Sequence, residues 1–274
     1  MTISIVIANW NTKDLIQQCI ESIFGTTPQE QVTYEVIIID NASTDGSTEY
    51  LRSQSGRITL IENKTNLGYA KACNQGMKIA RGKFILLLGS DTIMQPGTLF
   101  ECVKFLEGNN DAGAVSCKLL NPDGSIQNSL KKFPKLKNAF YTYLSLDKLN
   151  RDYDMAEFNY DNTVEVEQAD ATFLMIRKEL MERIGYFDES YRILYNDVDL
   201  CRRIQKAGCK IFFLHSVSII HYGSHSTKNA DFALRKIMYS DIYRYYCRNF
   251  GFKAKFLYPI LVFRLIVVSS IKAK

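Results

Sequence analysis

An α/β fold with a mostly parallel sheet flanked by helices is what this sequence predicts, and three observations carry the prediction. Short apolar runs end in polar residues: Ile5-Val6-Ile7-Ala8 runs into Asn9, Val36-Ile37-Ile38-Ile39 into Asp40, and Phe84–Leu88 into Gly89-Ser90-Asp91. Runs of that length bounded by turn residues read as buried strands. Segments of helical period separate them, and strand–helix alternation calls for a sheet covered on both faces. Hydrophobic residues are 46% of the 274, enough for a sizeable core.

Each element follows in order. A strand over 3–8 precedes a helix over 13–24 that buries Leu15, Cys19, Ile20 and Ile23. A strand over 34–39 leads to a short helix over 48–53, and a strand over 58–62 leads to a helix over 69–80. After the strand at 84–88, Pro96-Gly97 delays the next helix, which runs to 106, and a strand over 112–117 closes the series. Asn121-Pro122-Asp123-Gly124 makes a tight turn. Residues 130–163 lack a clear period and read as a variable, partly helical insertion. Strands over 164–168, 172–176 and 210–214 and helices over 178–183 and 198–206 complete the sheet, and 230–249 reads as a long aromatic-rich helix. The expected organisation is one domain over 1–228, with halves 1–120 and 121–228, and a helical, basic-apolar tail over 229–274.

The formal net charge of +5 suits an anionic small molecule or an acidic membrane surface and is too small to imply nucleic acid. Seven cysteines without a C-x-x-C pair read as reduced core thiols. A strand that begins at Ile3 leaves no room for a signal peptide, so a cytoplasmic protein is expected. The apolar stretch at 256–271 contains Arg264 and is flanked by Lys253, Lys255, Lys272 and Lys274. It is shorter than the roughly 20 residues of a membrane span. It fits a helix lying on an acidic leaflet or one docked on the protein's own core.

Chemistry gathers where the strands end. A carboxylate there, such as Asp40 or Asp91, lies where open α/β sheets bind ligands. Asp40 can accept from a base or a ribose, or cap a turn. Asn66 and Gly68 open a helix whose free N–H groups suit a phosphate, with Lys71 and Asn74 three apart on one face. Asp91, after Ser90, is the metal candidate, because Mg²⁺ and Mn²⁺ bind through one or two carboxylates plus substrate phosphates. Asp197 and Asp199 begin a helix, where the dipole favours anions, and an ionised Asp in a cleft can take a proton from a hydroxyl. His221 is a core histidine or a further metal ligand; His225 and His215 are less well placed.

Taken in order, these segments resemble glycosyltransferase family 2, inverting enzymes of the GT-A fold, and most of all its rhamnosyltransferase-like branch in bacterial O-antigen and capsule synthesis. The matching pieces are Ser4–Asn11, Ile39–Ser47, Asn66–Asn74, Leu88–Thr92, Phe173–Arg177, Gly185–Glu189, Asn196–Leu200 and Ile220-His221. The resemblance implies that Ala8, Asn9, Asn11, Asp40 and Lys71 hold the nucleoside, with Asn66, Gly68 and Ser90 on the donor side. It implies that Asp91, joined by His221, binds Mn²⁺ or Mg²⁺ and that Asp197 is the catalytic base, with Asn196 and Asp199 on the acceptor side. The donor would be a dTDP- or UDP-sugar and the acceptor a glycan or lipid-linked glycan at the inner-membrane surface. Two positions depart from the pattern. Gly89 stands at the first D-x-D position, and Asn196 stands where an acidic residue precedes the base.

Two other classes share parts of this pattern. A nucleotidyltransferase would carry a Gly-rich basic loop where Asn9-Trp10-Asn11-Thr12 stands, and would release pyrophosphate. A non-catalytic binding protein would keep donor binding without turnover.

Overall fold

The structure, a computed structural model, describes residues 1–26, 32–223 and 232–271. His225, residues 230–231, Lys272 and Lys274 lie outside the described residues. The first half runs β1 (Ile3–Asn9), α1 (Lys13–Thr26), β2 (Tyr34–Asp40), α2 (Ser47–Ser53), β3 (Thr59–Glu62), α3 (Tyr69–Ile79), β4 (Phe84–Leu88), β5 (Thr92–Met94), α4 (Thr98–Gly108) and β6 (Ala112–Leu120). The second half runs β7 (Leu130–Lys131), α5 (Leu136–Tyr143), β8 (Val164–Val166), β9 (Gln168–Ala169), β10 (Phe173–Arg177), α6 (Lys178–Ile184), α7 (Asn196–Lys206), β11 (Lys210–His221), α8 (Phe232–Phe250) and α9 (Tyr258–Ile271).

The main sheet has nine strands in the order β3-β2-β1-β4-β10-β6-β11-β5, with β8 paired to β11. Strands β3, β2, β1 and β4 are mutually parallel, as the apolar runs predict. Strand β10 enters antiparallel between β4 and β6, so the sheet is mixed. Both faces of β1 and β4 are buried, which is why these strands read as continuous apolar runs. Helix α1 buries Ile16 beside Cys19, Ile20 and Ile23, while Leu15 stays half-exposed; the observed set follows the helical period. Gly76 lets α3 approach the sheet closely: a Cβ there would stand 2.7 Å from Ile39 Cδ1 and 2.8 Å from Val6 Cγ1.

Two features escaped the sequence reading. Strand β5 pairs antiparallel with the end of β11, placing Thr92 opposite His221. The runs at 210–214 and 217–220 form one strand, interrupted by a register shift between Leu214 and Ser218. The insertion contributes β7, α5 and a 3-10 turn at Asp147–Asn150. Helices α8 and α9 share a core with that insertion and with α7: Tyr245, Tyr246, Leu257 and Leu261 pack with Ala139, Tyr191 and Val198. The tail helices are therefore one wall of the second half. No helix among the described residues is long and apolar enough to cross a membrane.

Candidate active site

The carboxyl ends of β1, β2, β4 and β11 meet along one edge, and three adjoining cavities follow it. The first, about 420 Å³, is lined by Ala8, Asn9, Asn66, Gly68 and Ser90, with Trp10, Asn41, Tyr69 and Arg192 from outside the expected set. The middle cavity, about 280 Å³, shares Ala8, Tyr69, Ser90 and Ile193 with the first and adds Asp91, Asp170, Asn196 and Asp197. The third, about 440 Å³, shares Asp170, Leu194, Tyr195 and Asp197 with the middle one and extends into the insertion. Asp197 thus stands where the middle and third cavities join.

Three expected donor-side residues do not line the first cavity. Asp40 is buried and filled: Asn9 Nδ2 (2.9 Å) and Ser43 Oγ (2.6 Å) donate to Oδ1, and Ser43 N (3.2 Å) and Thr48 Oγ1 (2.7 Å) donate to Oδ2. It builds the turn, and the next residue, Asn41, faces the cavity instead. Asn41 Nδ2 donates to Asn66 Oδ1 at 2.9 Å, and its Oδ1 accepts from Leu67 N at 2.9 Å. Asn11 is left-handed, with φ 52°, and its Oδ1 accepts from Thr44 N at 2.7 Å, stapling two loops together. Lys71 is exposed on α3, while Asn74 is buried and exchanges two 3.0 Å hydrogen bonds with the Phe187 backbone.

On the metal side, Asp91 Oδ2 lies 3.5 Å from His221 Nε2. The β5–β11 pairing brings them together, and Tyr222 N donates to the Asp91 carbonyl at 3.0 Å. Gln127 fixes the imidazole. Its Nε2 donates to the His221 carbonyl (2.6 Å) and to Asn121 Oδ1 (2.8 Å), so its Oε1 accepts from His221 Nδ1–H at 2.8 Å. Nε2 is then the nitrogen turned toward Asp91. Burial pushes the His221 pKa down, but the hydrogen bond to Asp91, that carboxylate's charge and Asp170 raise it on balance.

Two ligands at right angles on one Mg²⁺ or Mn²⁺ stand about 3 Å apart, so this oxygen–nitrogen pair fits such an ion after a small adjustment. Among the described residues, no group of three or more His, Cys, Asp or Glu side chains is placed to hold a metal. A bound molecule's oxygens can supply further ligands. A Cβ at Gly89 would stand 3.0 Å from Asp91 Oδ1 and 3.2 Å from Thr92 Cγ2, so a side chain there crowds Asp91.

Asp197 opens α7 after Tyr195, a left-handed residue with φ 66°. Burial, followed by the negative charge of Asp170, raises its carboxyl to about 7. Asp170 is held by Thr172, whose N–H and hydroxyl donate to its Oδ1 at 2.7 and 2.6 Å. Sequence reasoning missed Asp170, because an Asp two residues before a Thr reads as an ordinary turn. Asn196 is buried, and its Oδ1 has no hydrogen-bond partner in the protein. Its Nδ2 donates to the Ile193 carbonyl at 3.1 Å, a bond an ionised carboxylate there could not make. Asp199 lines none of the three cavities; it pairs with Arg203 Nε at 2.8 Å.

The stretch 192–194 touches all three cavities and is held from behind by α8. Buried Asp241 Oδ2 accepts from the backbone N–H groups of Arg192, Ile193 and Leu194 at 3.1, 2.8 and 3.1 Å. Gly68 meets the same stretch: with φ 84°, a Cβ there would stand 2.9 Å from the Arg192 carbonyl oxygen.

Known proteins share this architecture. The S. aureus TarS 1-349 structure in complex with UDP-GlcNAc superposes with a TM-score of 0.59 at 19% identity, over 88% of this chain and 65% of that one. GalNAc-T7 with UDP, GalNAc and Mn²⁺ gives a TM-score of 0.61 at 15% identity, over 81% of this chain and 44% of that one. In sequence, the chain is 23% identical to Rhamnosyltransferase WbbL of Escherichia coli (strain K12) over 235 residues, 82% of this chain and 85% of that protein. It is 26% identical to N-acetylglucosaminyl-diphospho-decaprenol L-rhamnosyltransferase of Mycobacterium tuberculosis (strain ATCC 25618 / H37Rv) over 207 residues, 70% of this chain and 67% of that protein. The family description Glycosyl transferase family 2 matches residues 4–185, and the chain belongs to that family.

Proposed function

We propose that the protein transfers a sugar, with inversion, from a dTDP- or UDP-sugar to a hydroxyl of a glycan or lipid-linked glycan in bacterial surface-polysaccharide synthesis. The observation that carries this reading is the position of Asp197 between the middle and third cavities, with Asp91, paired with His221, also lining the middle one. In this reading the first cavity takes the nucleoside, with exposed Asn66, held by Asn41, offering its amide N–H groups to a base and Trp10, the single tryptophan, offering a stacking face. Asp91 and His221 would hold Mn²⁺ or Mg²⁺ together with diphosphate oxygens; when bound, the ion offsets charge on the departing diphosphate.

The third cavity suits a neutral sugar. Its lining includes Ser129 Oγ and Gln168 Oε1, both buried without a protein partner and ready for ligand hydroxyls. Asp147, Asp154, Asp170 and Asp197 against Lys131 disfavour an anionic group there. The acceptor oxygen attacks the anomeric carbon as the bond to the diphosphate oxygen breaks. Its proton passes to Asp197, whose raised pKa makes it a better base than an exposed Asp. The relative from M. tuberculosis, named for a lipid-linked acceptor, and the basic-apolar tail support a membrane-surface setting on the cytoplasmic face of the inner membrane.

The test is a panel of nucleoside-diphosphate sugars with Mn²⁺ or Mg²⁺, offered with neutral glycosides and lipid-linked glycans. The expected product has the opposite anomeric configuration to the donor by NMR, with nucleoside diphosphate released in equal amount. Pyrophosphate release from a nucleoside triphosphate, or a retained configuration, would contradict the reading.

A further inference from the structure

Two exposed apolar segments far apart in sequence lie side by side. Leu144, Leu146 and Leu149, which follow α5, are 45–58% exposed. Phe252, Phe256, Phe263 and Ile266, on the last turns of the chain, are 57–70% exposed. The segments are tied together: Arg264 Nη1 donates to Ser145 Oγ at 2.7 Å, and Tyr143, Leu144, Ile260 and Phe263 line one groove of about 370 Å³. Helix α9 buries Leu261 in the core it shares with α8 and the insertion yet shows Val262, Phe263 and Ile266 to solvent. A helix apolar on every side needs cover on every side.

Charge decides what covers it. Residues 251–274 hold Lys253, Lys255, Arg264, Lys272 and Lys274 and no Asp or Glu. The 144–149 loop adds Lys148 and one acid, Asp147, which lines the third cavity, so the face keeps a net positive charge and a two-fold pairing with a second copy would bring its cations against their own images. We infer that the face formed by the 144–149 loop and the 252–266 segment docks on an anionic lipid bilayer, with α9 lying in the plane. Apolar side chains enter the headgroup boundary and the lysines meet lipid phosphate.

Docking also orients the site. Tyr143 lines both the apolar groove and the third cavity, so the cavity leading to Asp197 opens beside the bilayer. A lipid-linked acceptor can then present its sugar while its lipid stays in the membrane. This orientation rests on the acceptor reading proposed above; the docking does not.

The test uses the full chain without donor or acceptor, floated with phosphatidylcholine vesicles or with vesicles containing about one-third phosphatidylglycerol. Binding to the anionic vesicles should be about tenfold tighter or more. The pairs Leu146→Ser/Leu149→Ser and Phe256→Ser/Phe263→Ser should each weaken it by about tenfold, with unchanged circular dichroism and melting temperature. Failure of the wild type to bind, equal binding to both vesicle types, or wild-type binding by both pairs would overturn the proposal. Loss confined to the phenylalanine pair would remove the loop from the face. A concentration-dependent dimer abolished by the same substitutions would assign the face to a second copy. None of these outcomes depends on glycosyl transfer.

Discussion

Around the first cavity, hydrogen bonds close over short loops of the parallel sheet: Ser43 meets Asp40 three residues away, and Asn41 meets Asn66 25 residues away. Around the third cavity and the metal pair, the ties are long. Asp241 reaches Leu194 across 47 residues, and Gln127 reaches His221 across 94. The difference separates two tasks. The first cavity is built chiefly on the edge of the parallel sheet and closed on one side by Arg192 and Ile193, whereas the third, the acceptor side in the proposed reading, is assembled from the insertion, α7 and the tail packed against one another. Changes at the long ties should therefore disturb reaction geometry and stability together, while changes at the short ties should disturb donor affinity alone.

The largest effect is expected at Asp241. Asp241→Ala leaves three backbone N–H groups without their acceptor and should cost about 2–4 kcal/mol, lowering the melting temperature by roughly 5–10 °C. A melting temperature within about 2 °C of wild type would mean that the stretch 192–194 supports itself. Next is Gln127→Leu, which frees the His221 ring. Loss of such an orienting partner typically weakens metal affinity by about 10–100-fold. Mn²⁺ titration in the presence of UDP, followed by electron paramagnetic resonance, reads this without turnover; unchanged affinity would remove Gln127 from the metal's support.

A smaller change tests the short-range region. Trp10→Ala should weaken nucleotide binding by about tenfold, given stacking worth roughly 1–3 kcal/mol per base. Calorimetry with UDP and dTDP checks it, and an undiminished affinity would place the base elsewhere. The smallest shift is in a pH profile. Asp197 acts as base only when ionised, so kcat/KM should rise as pH rises through about 7. Removing the like charge in Asp170→Asn lowers the Asp197 pKa, so the rising limb should move toward lower pH; movement upward would reverse the assigned cause.

The same contrast explains what was legible in the sequence. The strands at 3–9, 34–40 and 84–88 announce themselves because both faces are buried and their central residues form apolar runs. Asp91, Asp197 and His221 stand out in the sequence by their places at element ends, and the structure brings Asp91 and His221 within 3.5 Å. Asp40 was read one residue early: it turns inward to build its loop, and Asn41 takes the cavity. Gln127 and Asp241 act through partners dozens of residues away, and no local period or turn signature marks them, while Asp170, tied to Thr172 two residues on, reads as an ordinary turn. Asp199 looked like Asp197's companion, yet two residues along a helix turn a side chain to another face, where Arg203 receives it.

The most direct test of the role given to Asp197 is to measure donor affinity and turnover on one preparation of Asp197→Asn. Donor affinity should stay within about threefold of wild type while turnover falls by ~10²–10⁴-fold, because only proton removal from the acceptor is lost. The melting temperature should rise at pH 8, where wild-type Asp197 is a buried anion, with no gain near pH 4, where it is protonated in the folded protein. Turnover close to wild type with intact donor binding would contradict the assignment of Asp197 as base.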